Sequence, residues 1–151
     1  MEYSYREKTI WIDLLVTTFV SIYYFTHVYI LNSWNELGGT DMGRVISNVI
    51  IISIIASIVL HFSFNNNKEE KKDERDLIIE AKGNAYGYYT LYTASVLIIG
   101  HIMFNEGVGY IFPDRIFQVT GPFIMHIILV ALFFSSFAKS ITQIFSYRRG
   151  Y

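Results

Sequence analysis

The stretch that decides the fold is VISNVIIISIIASIVLHFSF, residues 45–64, which contains no Asp, Glu, Lys or Arg. Roughly 20 helical residues cross a bilayer core of about 30 Å. A backbone in hydrocarbon must satisfy its own hydrogen bonds, and a closed barrel would need many short alternating segments. The stretch therefore predicts a transmembrane helix, although its β-branched residues are common in strands.

Three other stretches have the same length and apolar character. We predict spans at about 10–31, 45–64, 86–104 and 116–137, and only Asp13 places a charge inside one of them. Because the connections are short, neighbouring helices should run antiparallel in one all-α, four-helix transmembrane domain that covers residues 1–151. A partial likeness between the Gly-rich turns at 35–44 and 105–115 also suggests a duplicated helical hairpin.

The basic residues predict the orientation, because Lys and Arg are concentrated in cytoplasmic segments. With both termini inside, ten of the twelve Lys and Arg residues are cytoplasmic, and only Arg44 and Arg115 are outside. We therefore predict a multi-pass membrane protein with both termini in the cytoplasm. A net charge of −1 argues against direct nucleic-acid binding, and the absence of cysteine excludes disulfides and thiolate metal sites.

The predicted cytoplasmic loop, residues 65–85, is unusually rich in charge. Eleven of the fifteen residues from 68 to 82 are charged, five basic and six acidic. An acid inside a span needs a partner, so Asp13 should meet cations at the inner rim. We predict a charged network on the cytoplasmic face that links the loop to both termini: Arg6, Glu7, Asp13, Asp73, Glu74, Arg75, Asp76, Arg148 and Arg149. The alternative is that the run is a solvated spacer.

Local signals around this loop concern helix ends and helix packing. Asp73 is a plausible N-cap, followed by acids in the first turn, where the helix dipole favours them. Gly83 and Gly87 form a G-x-x-x-G pattern, which lets two helices approach closely in lipid; alternatively, Gly83 and Asn84 end one helix and start the next. Asn48 is the strongest candidate for a polar packing contact. Other hydroxyl residues in the spans are expected to hydrogen-bond between helices.

Each predicted span carries one histidine: His27, His61, His101 and His126. Imidazoles ligate haem or zinc and relay protons. His27 and His101 share a level near the outer edge and His126 is closer to the midplane, so these three are a candidate ligand or proton site. The alternative is that His27, His61 and His101 lie at the membrane interface with their ring nitrogens in contact with water. His126 would then form a hydrogen bond within the bundle. We predict no bound metal or cofactor, with haem and zinc as the alternatives.

Three short motifs resemble an uncharacterised family of small bacterial four-span membrane proteins. They are YREKTIWI at 5–12, DERDLII at 73–79 and YRRG at 147–150. The likeness covers the chain from end to end, and the matching residues are Arg6, Glu7, Trp11, Asp73, Glu74, Arg75, Asp76, Arg148 and Arg149. It implies a four-helix integral membrane fold without known catalytic activity. Because such proteins are often encoded beside helix-turn-helix regulators, the resemblance also implies a regulatory or accessory role in the bacterial inner membrane.

The sequence contains no recognisable catalytic motif, such as a P-loop, H-E-x-x-H or G-x-S-x-G. We therefore predict a non-enzymatic accessory or regulatory protein that presents its charged cytoplasmic face to a soluble regulator or to a second protomer. Its expected partners are the lipid bilayer, that regulator and further copies of itself. A small homo-oligomeric transporter or channel is the alternative, and a haem or quinone electron carrier is the third possibility.

Overall fold

The computed structural model describes residues 5–30, 40–64, 73–112 and 121–149. These residues form four helices: α1 (Tyr5–Ile30), α2 (Thr40–Phe64), α3 (Glu74–Ile111) and α4 (Gly121–Arg149). Each helix contains a segment long and apolar enough to cross a membrane. The predicted all-α fold with four helices of membrane-spanning character is confirmed. Residues 31–39, 65–72 and 113–120, which include parts of the predicted loop and of both Gly-rich turns, lie outside the described residues.

The apolar core is built by α1, α2 and α4. Helix α1 contributes Ile12, Val16, Val20 and Tyr24, which repeat every four residues and so form one stripe along the helix. Val49 of α2, together with Leu129 and Phe133 of α4, packs against that stripe. Val20 and Tyr24 have no exposed surface. Helix α1 therefore packs against both α2 and α4, and α4 packs in addition against α3.

Helix α3 is much longer than the span predicted for it. The prediction placed residues 65–85 in a loop and ended the span at 104, whereas α3 is one continuous helix of 38 residues from Glu74 to Ile111. At 1.5 Å per residue its length is about 57 Å, well beyond a bilayer core. Hydropathy does not predict the additional helical residues at the two ends of α3, 74–85 and 105–111. A polar segment can be helical when it is capped and packed, although its hydropathy is low.

Helix α3 packs mainly against α4. Within its first four turns it buries Ile79, Gly83 and Gly87, spaced four residues apart. Farther along, half-buried residues continue at intervals of three or four: Leu91, Ala94, Ile98, Ile102 and Asn105. One side of α3 is therefore covered along the whole helix, and the opposite side is exposed.

Several hydroxyl residues of the spans form hydrogen bonds within their own helix rather than between helices. Thr17, Ser53 and Thr90 each donate to the carbonyl oxygen four residues earlier in their own helix, at 2.7 to 2.9 Å. The expectation that they bond between helices is wrong for these residues, because a helical hydroxyl in an apolar setting finds its nearest acceptor on the preceding turn. A cross-helix bond is made by Ser135, whose Oγ donates to the carbonyl of Gly87 at 2.8 Å.

Candidate functional site

The start of α3 is fixed by its own first residues. Asp73 is the N-cap, as the sequence predicted, and its Oδ1 accepts from the backbone N–H of Asp76 at 2.6 Å. The Asp76 carboxylate in turn accepts from the backbone N–H of Asp73 at 3.4 Å. This reciprocal capping box satisfies two of the amides that a helix start leaves without partners. It also holds the Asp76 side chain at the end of the bundle where α1 and α3 begin and α4 ends, here called the charged end.

Asp76 joins three helices at this end. Its Oδ2 lies 3.3 Å from Nε of Arg6 on α1, and its Oδ1 accepts from the hydroxyl of Tyr147 on α4 at 2.5 Å. The Arg6 and Asp76 side chains are 25% and 17% exposed, so water screens this pair less than a surface pair. Arg75 adds a second link to α4, because its Nη2 donates to the carbonyl of Tyr147 at 3.1 Å.

A further ion pair ties α1 directly to the end of α4. Nε of Arg148 donates to Oε1 of Glu7 at 2.8 Å. The Glu7 side chain is only 11% exposed, whereas that of Arg148 is 44% exposed. We call the set that joins α1, α3 and α4 the helix-end network: Arg6, Glu7, Arg75, Asp76, Tyr147 and Arg148.

The structure brings some of the predicted network residues together and leaves others outside it. Asp73 contributes through capping, and Glu74 is exposed beyond the network. Arg149 is also exposed, with its guanidinium carbon 4.1 Å from the centroid of the Phe145 ring. Asp13 is half-buried and lies farther into the bundle, in the wall of a pocket.

This interhelical pocket has a volume of about 210 Å³ and opens between α1, α3 and α4. Its wall carries charges of both signs from all three helices. Asp13, Asp76 and Glu80 are acidic, and Arg6 and Lys139 are basic. Three residues of the helix-end network, Arg6, Asp76 and Tyr147, also form part of this wall.

The glycines of the G-x-x-x-G pattern lie at the contact between α3 and α4. A Cβ at Gly87 would be 3.2 Å from Cβ of Lys139 and 3.3 Å from the backbone oxygen of Ser135. A Cβ at Gly83 would collide with the side chain of Gln143. Since α3 continues through both positions, the helix break considered at Gly83 is not present. Asn48 is exposed on α2 and does not belong to the core.

The three candidate histidines have separate surroundings. Nδ1 of His126 and the hydroxyl of Tyr24 share a hydrogen bond, which links α4 to α1 inside the bundle. Nδ1 of His27 donates to the carbonyl of Tyr23 at 2.8 Å, within its own helix. His101 is exposed on α3. Within the described residues, no group of three or more His, Asp and Glu side chains is arranged to hold a metal ion; the side chain of His61 lies outside them.

Several residues of the site were missed by sequence reasoning, mainly on α4. Tyr147 lies in the network, Gln143 and Lys139 line the pocket, and Ser135 bonds to Gly87. A signal for them is present in the sequence. Polar residues recur along the second half of α4 at helical spacing, at 135, 139, 143 and 147, and mark one side of an otherwise apolar helix.

No protein-family model matches the chain, and no curated protein and no solved structure is significantly similar to it. The resemblance noted for the three charged motifs therefore stays a prediction.

Proposed function

We propose that the protein is a non-enzymatic accessory or regulatory protein of the bacterial inner membrane, which presents its charged end to a soluble cytoplasmic partner. The observation that carries this proposal is the two-layered arrangement of charge at that end. The inner layer, centred on Asp76 and Glu7, is partly buried and holds three helices together. An outer layer of exposed charges lies at the same end: Lys8, Asp73, Glu74 and Arg149.

The two layers have different physical roles. Ion pairs with little exposed surface fix the relative positions of helix ends, because removing either partner leaves a charge without compensation. Exposed charges add little stability but steer association and select partners by sign. The inner layer fixes the positions of the helix ends, so the exposed charges of the outer layer have defined positions. Such an arrangement is suited to recognition of a charged protein surface.

The orientation and helix directions are part of the same proposal. The excess of Lys and Arg at the charged end supports a cytoplasmic location for it and for both termini. Antiparallel neighbours are supported by the contacts of α4: residue 148 meets Glu7 near the start of α1, whereas His126 meets Tyr24 much later in α1. The duplicated hairpin stays a prediction from the likeness of the two Gly-rich turns.

The experiment that tests the regulatory role uses the outer layer alone. A helix-turn-helix regulator of the kind that the resemblance associates with such proteins is expressed with the tagged membrane protein, which is purified in detergent. We expect co-purification with the native sequence and its loss in the double variant Glu74→Lys, Arg149→Glu, because both residues are exposed and outside the helix-end network. Glu106→Lys, an exposed reversal at the opposite end of α3, should retain the partner. Equal capture by the native protein and the Glu74, Arg149 variant contradicts the proposal.

A homo-oligomeric transporter or channel is the second candidate, and it is favoured by apolar surface that one chain leaves uncovered. Added Cβ atoms at Gly100 and Gly107 of α3 would meet nothing within 4 Å, so a second copy can approach that helix closely. The exposed amide of Asn48 on α2 gains a hydrogen-bonding partner in such an assembly. Proteoliposome flux that depends on Asp13 would favour this function over the regulatory one.

A further inference from the structure

Asn48 is a polar residue on a side of α2 that the rest of the chain does not cover. At 1.5 Å per residue it lies about 7.5 Å past Gly43, where the apolar spanning segment of α2 begins. Its side chain is exposed, and no other described residue forms a hydrogen bond with its amide. An amide among lipid chains is unfavourable, because lipid chains satisfy neither its N–H donors nor its carbonyl acceptor. The position of Asn48 therefore indicates a polar partner from outside the chain.

Asn48 is the first residue of a line of exposed residues along α2. It is followed at intervals of three or four residues by Ile51, Ile55, Ile58 and Phe62, each more than half exposed. We call these five residues the α2 seam. Alternating intervals of three and four are the spacing of a coiled coil, in which one helix packs lengthwise against another. A single Asn in an otherwise apolar line is also the pattern that fixes the register between such helices.

The α2 seam is separate from the side of α2 that contacts the rest of the chain. Val49 belongs to the apolar core, and Val45, Ile52 and Ala56 are partly buried against it. Among the described helices, α2 contacts mainly α1. Helix α2 therefore has one apolar line that the chain covers and a second line that the chain leaves exposed.

A second copy of this chain matches the α2 seam better than lipid does. Both copies insert in the same direction, so two α2 helices related by a twofold axis run parallel and bring the same residues together. An amide is both a donor and an acceptor, and the Asn48 side chains of two copies can therefore satisfy each other. Lipid chains can cover the isoleucines, but they provide no hydrogen-bonding group for the amide.

We propose that the α2 seam is the interface of a homodimer, in which the Asn48 amides of two copies form reciprocal hydrogen bonds. Ile51, Ile55 and Ile58 pack against the matching residues of the second copy. The packing contact predicted for Asn48 is then made between chains rather than within one. This dimer gives the second candidate function a defined interface, but it requires only the membrane insertion that both candidate functions assume. Failure to capture a regulator, or absence of flux, therefore leaves it unaffected.

The first test maps the interface with single cysteines in a chain that has none of its own. Ile55→Cys lies on the α2 seam, whereas Ile54→Cys is beside it at a residue with the same exposure, 55%. Membranes that contain either variant are oxidised with copper phenanthroline, and disulfide-linked dimers are quantified on non-reducing gels. Because a disulfide requires Cα atoms within about 7 Å of each other, we expect about fivefold more dimer from Ile55→Cys. Equal yields, or a higher yield from Val96→Cys on the exposed side of α3, overturn the proposal.

The second test measures association by energy transfer between donor-labelled and acceptor-labelled copies in phosphatidylcholine vesicles at increasing lipid-to-protein ratios. Asn48→Leu keeps a side chain of similar size but removes the amide, so it should raise the dissociation constant about tenfold. Ser47→Leu, at the adjacent exposed residue outside the α2 seam, is the matched control and should leave the constant unchanged. Equal association of the native protein and Asn48→Leu overturns the proposal. A native chain that stays monomeric at every ratio also overturns it, and this result does not depend on the folding of any variant.

Discussion

The two halves of α3 meet the same neighbour in different ways. The first half, residues 74–87, buries Ile79, Gly83 and Gly87 and carries the capping box and the Asp76 contacts. The second half, residues 88–111, has a half-buried stripe but no fully buried residue. Tyr110, near its end, is 92% exposed. One helix therefore contains a segment defined by specific contacts and a segment defined mainly by its apolar character.

We expect the difference to follow from the solvent around each half when the helices cross a membrane. In lipid, an exposed apolar side chain does not destabilise the protein. A helix is therefore stable there when its backbone hydrogen bonds are satisfied and its apolar segment is long enough to span the hydrocarbon. Near the membrane surface, water competes for every polar group, and a defined structure needs close packing and paired charges. Substitutions in the first half should consequently destabilise the fold far more than matched substitutions in the second half.

The largest effect is expected from Gly87→Leu. The Cβ of a leucine at this position would already lie 3.3 Å from the backbone oxygen of Ser135 on α4. The rest of the side chain would push the two helices apart. Overpacking of this kind costs about 2–3 kcal/mol, or prevents folding altogether. Unfolding by SDS in mixed micelles, followed by circular dichroism, measures the loss. Gly100→Leu in the second half is the matched control and should change the free energy of unfolding by less than about 0.5 kcal/mol; equal losses would remove the distinction between the halves.

Asp76→Ala should have the next largest effect, about 1–2 kcal/mol, because the change removes the acceptor of the Tyr147 hydroxyl and the carboxylate that pairs with Arg6. The same unfolding measurement applies. Glu106→Ala removes an exposed carboxylate from the second half of the same helix and should be nearly neutral. If Asp76→Ala proves as mild as Glu106→Ala, then the helix-end network does not hold the three helices.

Exchanging the charges of Glu7 and Arg148 tests whether these two residues stabilise the bundle as a pair. Glu7→Arg alone should lower the free energy of unfolding by about 1 kcal/mol, because Glu7 is only 11% exposed and its replacement places two guanidinium groups together, while Arg148, at 44% exposed, still reaches water. The double variant Glu7→Arg, Arg148→Glu should recover most of that loss, since the pair forms again with its signs reversed. Reversal of the exposed Lys8 provides the comparison variant. Additive losses in the double variant would mean that the two residues do not interact.

The smallest effect should come from Tyr24→Phe, in the core between α1 and α4. The change removes the hydrogen bond to His126 and keeps the buried ring. Hydrogen bonds between membrane helices contribute about 0.6 kcal/mol on average, and we expect a loss of that size. Tyr92→Phe, at an exposed position of α3, should be neutral. A loss of several kcal/mol for Tyr24→Phe would show that polar contacts dominate the apolar region as well.

The sequence predicted those features that depend on local chemistry. The four apolar blocks gave the number of helices, and Asp73 followed by acids gave the start of α3. The charge pattern also indicated that residues at both termini and at 73–76 belong to one region. Each of these signals is contained in a short window of residues, which is why it can be seen without a structure.

The sequence did not predict the features that depend on tertiary contacts. Whether residues 74–85 form a loop or a helix is decided by the contacts of Asp76, Gly83 and Gly87 with α1 and α4. Gln143 and Tyr147 gain their significance only when α3 lies against α4. The pocket has the same origin, since its charges come from three separate helices. Hydropathy identified Asp13 as unusual but did not place Lys139 and Glu80 beside it in the pocket wall.

The most direct test of the account is the accessibility of the two ends of α3 in intact cells. The chain has no cysteine, so Glu74→Cys and Glu106→Cys each introduce a single thiol at an exposed position. A membrane-impermeant maleimide should label residue 106 in intact cells and residue 74 only after the membrane is permeabilised. Labelling of residue 74 in intact cells would contradict a cytoplasmic charged end and, with it, the proposed recognition surface.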